Sequence, residues 1–285
     1  SFGNDFKKGL LAYSNGEWSI ALDKWSAIAK KGNASAQFYL GKMHERGFGV
    51  SQNYKIAAKW YTLAAEKGIP EAQTNLGNLY SKGKGVPQDY KVAAEWYKLA
   101  AEQDYDVAGY NLALAYDKGE GVLQDYKKAI KWYTVSAEQG YGQSQHNLGV
   151  IYRDGVGVPQ DYKKAVKWFK LAAEQGTDRS QAALGILYKD GHGVPQDYKS
   201  AIKWLRLAAE QGEPSAQTTL GIMYFRGKGV IQDDVYAHMW SNIAAASGSK
   251  NASQNRTTIE KFMTSSQLEK AQDLARECVA KNYKG

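Results

Sequence analysis

A period of 36 residues that returns six times governs what this chain can fold into. Gly-x-Gly-Val occurs at residues 47–50, 83–86, 119–122, 155–158, 191–194 and 227–230. A tryptophan follows in constant register: Trp60, Trp96, Trp132, Trp168, Trp204 and Trp240. So does a pair of small residues, from Ala64-Ala65 to Ala244-Ala245, written once as Ser136-Ala137. A fixed period of this size marks a repeat array, in which no unit can bury its apolar face alone. That overrides the two domains that 285 residues would suggest at about 150 residues per domain.

Each unit reads as two helices. In residues 70–105, Pro70 suits a first helical turn, where its missing N–H removes no bond. Ala72, Leu76, Leu79 and Tyr80 then form one apolar stripe at helical spacing. Gly77 inside that helix costs about 1 kcal/mol relative to Ala. Its return as Gly41, Gly149, Gly185 and Gly221, with Ala113 once, implies a neighbouring helix too close for a larger side chain. Gly83 and Gly85 end the first helix. Asp89 caps the second, whose buried side is expected at Tyr90, Ala93, Ala94, Tyr97, Ala100 and Ala101. The caps return as Asn53, Asp125, Asp161, Asp197 and Asp233, and the recurring Trp is expected in the core.

The fold class is therefore all-α, an α/α solenoid of helix-turn-helix repeats at 34–69, 70–105, 106–141, 142–177, 178–213 and 214–249. Residues 1–33 and 250–285 lack the full pattern and are expected to cap the two ends, since terminal units need a polar outer face. The last helix opens with Thr264…Gln267 as a capping box and presents Leu268, Ala271, Leu274, Ala275, Cys278 and Val279 as its apolar side.

Composition excludes several classes. One cysteine, Cys278, leaves no internal disulfide and no zinc site built from paired cysteines. No apolar run approaches the ~20 residues of a membrane-spanning helix. A net charge of +8 favours anionic partners in general. His44, His146, His192 and His238 form no pair at metal-binding spacing, and no Gly-x-x-x-x-Gly-Lys phosphate loop exists. The repeated Asp residues are explained by capping. Neither a catalytic residue, a metal site nor a cofactor is expected.

The pattern Ala-x-Ala-Gln-x-x-Leu-Gly-x-x-Tyr-x-x-Gly-x-Gly-Val-x-x-Asp-Tyr-x-x-Ala-x-x-Trp-Tyr resembles the Sel-one-like repeat family, 36-residue relatives of tetratricopeptide repeats. The first unit, with Gly16-Glu17-Trp18 and Ala21, is similar to an ordinary tetratricopeptide unit. The ending, from Ala237-His238-Met239-Trp240 to Ala271-Gln272-Asp273-Leu274, is similar to bacterial members, many of them exported. The resemblance implies a right-handed superhelix that acts as a non-catalytic adaptor for a protein or peptide. It also implies a periplasmic or secreted location, with the cytoplasm as alternative. A monomer is expected, with neither a small-molecule substrate nor a nucleic acid. His44, Asp234 and Ser241 stand where the pattern has Tyr, which puts local packing of the first and last full repeats in question.

Two rival functions compete with the adaptor reading. A β-lactam or peptidoglycan hydrolase or binder is suggested by relatives linked to penicillin binding. Here Ser-x-x-Lys occurs at Ser81, Ser200 and Ser247, without Ser-Asp-Asn or Lys-Thr-Gly. An anionic-surface or nucleic-acid binder is suggested by lysines on the second helices: Lys127, Lys128, Lys131; Lys163, Lys164, Lys167, Lys170; Lys199, Lys203 and Arg206.

In tetratricopeptide-like arrays the first helices line the concave, ligand-binding side. The register after Leu-Gly runs Lys42, Asn78, Leu114, Val150, Ile186, Ile222 and turns apolar in the last four repeats. One turn earlier stand Tyr110 and His146; one turn later stand Arg153, Lys189 and Phe225. Asn75, Asn111 and Asn147 precede the Leu-Gly or Leu-Ala pair, and in tetratricopeptide relatives such an Asn can bond a peptide backbone. These twelve residues, from Asn75 to Phe225 with Lys42 and Asn78 set aside, are the expected partner-binding groove.

Overall fold

The computed structural model describes residues 2–283, and the described residues hold sixteen helices and no strand. The chain divides after Tyr141 into two compact units. The first contains α1 (Phe2–Ser14), α2 (Trp18–Lys30), α3 (Ala34–Arg46), α4 (Tyr54–Ala65), α5 (Pro70–Lys82), α6 (Tyr90–Ala101), α7 (Asp106–Lys118) and α8 (Tyr126–Glu138). The second contains α9 (Gly142–Asp154), α10 (Tyr162–Glu174), α11 (Asp178–Asp190), α12 (Tyr198–Ala209), α13 (Pro214–Arg226), α14 (Asp234–Ala246), α15 (Lys250–Glu260) and α16 (Ser265–Ala280). Within each unit, helices pair in sequence order and each pair stacks on the next. The exception is α16, which packs on α14.

Two glycines of a repeat do different jobs. A Cβ on Gly77 of α5 would come within 2.6 Å of the Tyr97 ring and 3.2 Å of the Ala93 carbonyl, so the close neighbour is the partner helix α6 of the same repeat. Gly85, at φ +72°, faces the backbone of Tyr54 at the start of α4, where any side chain would collide. The turn thus locks one repeat onto the repeat before it. Every expected cap on a second helix is present; Asp89, for instance, accepts from the N–H groups of Lys91 and Val92.

The core lies one residue beyond the recurring tryptophan. Of the six recurring tryptophans only Trp168 and Trp240 are buried; Trp60, Trp96, Trp132 and Trp204 are half-buried at the edges of apolar clusters. The residue after each of the six, in the order Tyr61, Tyr97, Tyr133, Phe169, Leu205 and Ser241, is buried. Tyr90 is exposed and not part of the buried side of α6; its backbone rather than its ring meets the next repeat, at Gly121. On α16 the capping box forms as expected, and Ala271 and Ala275 are buried, but Val279 is exposed because only one narrow stripe faces α14.

Glutamines join adjacent repeats. Gln73 on α5 donates Nε2 to the carbonyl of Ala65 at the end of α4 (3.1 Å), and its Oε1 accepts from Gln103 (2.9 Å). Gln181 repeats this with Ala173 (3.1 Å) and Gln211 (2.8 Å). A buried amide is stable only with such partners.

Candidate binding surface

The side chains expected to form a groove all lie on first helices and all are half-buried. In the first unit, α5 and α7 bring a polar set together. Asn111 donates Nδ2 to Asn78 Oδ1 (3.2 Å), which also accepts from the Tyr97 hydroxyl (2.8 Å). These residues, with Ser81 and Leu114, border a cleft of about 360 Å³. Burial pushes the Tyr97 phenol up to about 12. The Tyr61 phenol donates to Glu45 Oε2 (2.6 Å) and is raised further by burial and by that carboxylate; Asn75 also hydrogen-bonds it. Tyr110 packs its ring 5.2 Å from Tyr141 and 6.0 Å from Tyr133. Asn111 and Asn75 therefore already serve hydrogen bonds inside the protein.

In the second unit the same register is apolar. Val150 on α9 and Ile186 on α11 pack half-buried against core clusters, and Ile222 occupies the next place on α13. Phe225 lies 5.6 Å from Phe262, which follows α15 and is 64% exposed. His146 Nδ1 is 2.8 Å from Ser180 Oγ, and its ring stands 5.6 Å from Phe169. Burial, with Arg179 and Arg153 nearby, lowers the His146 pKa. Arg153 makes two hydrogen bonds to Asp154 (2.7 and 2.9 Å), and Lys189 one to Asp190 (2.6 Å). Asn147 is half-buried on α9. The sequence reading places Tyr97 on the buried side of its helix, as observed, but it also put the recurring Trp in the core, and Trp96 is only half-buried. It missed Phe262 because no periodicity extends that far.

The arrangement offers docking chemistry. Among the described residues, no group of three or more His, Cys, Asp or Glu could hold a metal ion. Each serine of the Ser-x-x-Lys triplets has a structural partner: Ser81 lies by the Tyr97 phenol, Ser200 bonds Asp197 Oδ2 (2.6 Å), and Ser247 bonds the Ile243 carbonyl (3.4 Å). Burial raises the Cys278 thiol pKa. No helix among the described residues is long and apolar enough to cross a membrane.

Comparison with known proteins follows the repeat boundaries. The Sel1 repeat family matches at residues 34–69, 70–105, 107–141, 142–177, 178–213 and 214–249. A Sel1 repeat protein from Oxalobacter formigenes has a solved structure that is 34% identical, with TM-score 0.76, covering 85% of this chain and 99% of that one. The structure of c5321, a protective antigen of uropathogenic Escherichia coli strains displaying an SLR fold, is 26% identical, with TM-score 0.54, covering 99% of this chain and 77% of that one. Among curated proteins, none matches the chain.

Proposed function

The chain belongs to the Sel1 repeat family, whose members mediate protein–protein interaction, and from that premise we propose that it is a non-catalytic adaptor binding a peptide or partner protein on its first helices. One observation carries this reading. In the second unit, Val150, Ile186 and Ile222 place an apolar side chain at the same register of three successive first helices, and Phe225 with Phe262 extends the row onto an exposed ring. An apolar row left partly open to solvent supports a contact surface, and bordering charges at Arg153 and Lys189 are held by their neighbours Asp154 and Asp190. Asn111 and Leu114 form the corresponding polar cleft of the first unit.

The test is affinity capture from native cells, comparing the wild-type chain with Val150→Glu and Ile222→Glu. A specific protein retained by wild type and lost by both variants, at unchanged melting temperature, supports the reading. Equal retention by all three overturns the assignment of this face.

A further inference from the structure

We propose that the solvent faces of α10 and α12 form a docking surface for an anionic lipid bilayer, separate from the first-helix face. On α10 the helical spacing aligns Lys163, Lys167 and Leu171 on the side opposite the buried Ala165, Phe169, Ala172 and Ala173. On α12 it aligns Lys199, Lys203 and Leu207 in the same way. Both leucines are open to solvent, Leu171 at 38% and Leu207 at 39%. A leucine exposed at the same place in successive repeats is not scattered surface apolarity.

The lysines beside them make no close ion pair, although Lys199 and the capping Asp197 carboxylate attract each other. Lys164 pairs with Asp161 (3.7 Å) and Lys170 with Glu174 (3.9 Å). Among the described residues, no carboxylate lies within 4.0 Å of Lys163, Lys167, Lys199 or Lys203. The Lys167 ammonium sits 4.9 Å over the Trp168 ring and that of Lys203 5.6 Å over Trp204. The charged heads therefore rest on the indole faces as cation–π contacts. An apolar side chain bordered by ammonium groups that no carboxylate holds closely matches the boundary between acyl chains and anionic headgroups. The first unit repeats the device more weakly: Leu63 (42% exposed) follows Lys55 and Lys59, and Leu99 (47%) follows Lys91 but has Glu95 in place of the second lysine.

The same charge could attract a nucleic acid, but the face lacks what that ligand needs beyond charge. Trp168 is 7% exposed with Lys167 over its ring, so it offers no platform for a base, and leucine does not stack. Exposed leucine is useful against hydrocarbon.

The experiment is co-sedimentation of the full chain with vesicles of phosphatidylcholine alone or mixed equally with phosphatidylglycerol. Wild type is expected to partition about ten-fold or more in favour of the anionic vesicles. Lys163→Ser with Lys199→Ser should lower that partition about twenty-fold. Leu171→Ser with Leu207→Ser should lower it about five-fold while the melting temperature stays put, both sites being on the solvent side. Three results overturn the proposal: no preference for anionic vesicles, a partition unmoved by the leucine variants, or binding to a single-stranded oligonucleotide or to polyglutamate as tight as to the vesicles.

Discussion

The interior repeats and the two terminal full repeats share one pattern but close it differently. In three of the four repeats of residues 70–213 the inter-repeat glutamine is present and partnered, with donor and acceptor both filled at Gln73 and Gln181; the fourth has Gly109 in its place. In the first full repeat, Gln37 Oε1 and His44 Nδ1 are buried without a partner. In the last, so are Gln217 Oε1, Asp234 Oδ1, His238 Nδ1 and Ser241 Oγ. The cause can be read off the register. The donor expected thirty residues after the glutamine, Gln103 for Gln73, is Lys67 in the first full repeat and Ser247 in the last. Lys67 donates instead to the carbonyl of Gly32 (2.5 Å). His238 bonds Glu260 of α15 through Nε2 (3.0 Å). Where a repeat meets a non-repeat neighbour, its residues have been turned to that neighbour and the internal network is left short. An unsatisfied buried polar atom costs about 1–3 kcal/mol, so the ends hold less stability than the middle.

The largest test substitutes one register in both regions. Phe169→Ala is expected to lose about 3–5 kcal/mol, because a fully buried ring opposite Gly149 is removed. Ser241→Ala at the equivalent place should instead gain about 1 kcal/mol by removing the orphaned hydroxyl. Urea denaturation of both variants measures the contrast, and two losses of similar size would erase it. Trp132→Ala should cost about 2 kcal/mol, less than a core tryptophan, since the ring is half-buried against its cluster; thermal unfolding would show this. Gln211→Ala should cost about 1–2 kcal/mol by stranding Gln181 Oε1, whereas Ser247→Gln should add about 1 kcal/mol by giving Gln217 Oε1 a donor. Differential scanning calorimetry of that pair reads opposite signs if the comparison holds.

The smallest effect is in pH. The depressed pKa of His146 means that the folded chain prefers the neutral ring. Its stabilising contribution is present above the unfolded value near 6.5 and is lost as pH falls through the lower folded value. A denaturation series downward from neutrality should show that loss, and His146→Gln should flatten it.

Much of this was legible before any coordinates. Period, helix pairs, the caps from Asn53 to Asp233 and the close approach at Gly77 follow from local rules that each repeat obeys six times over. Depth of burial was legible only in part: Tyr97 was expected inside and is, whereas Trp96 beside it was expected in the core and is half-buried. Recurrence pointed to the Trp, while the buried position beside it varies as Tyr, Tyr, Tyr, Phe, Leu and Ser along the chain and so carries little signal. The proposed binding face was half legible: its register could be counted, but that Asn111 donates to Asn78 Oδ1 depends on how α7 packs against α5, which no count supplies. The packing of α16 on α14 lay beyond reach, because a single helix outside the period has no second copy to compare.

The account stands or falls on which helices meet the partner. Hydrogen exchange of the full chain with and without the captured partner decides it. Slowed exchange concentrated in α9, α11 and α13 is the predicted result. Slowing confined to α10, α12 and α14, with those three first helices unchanged, would contradict it.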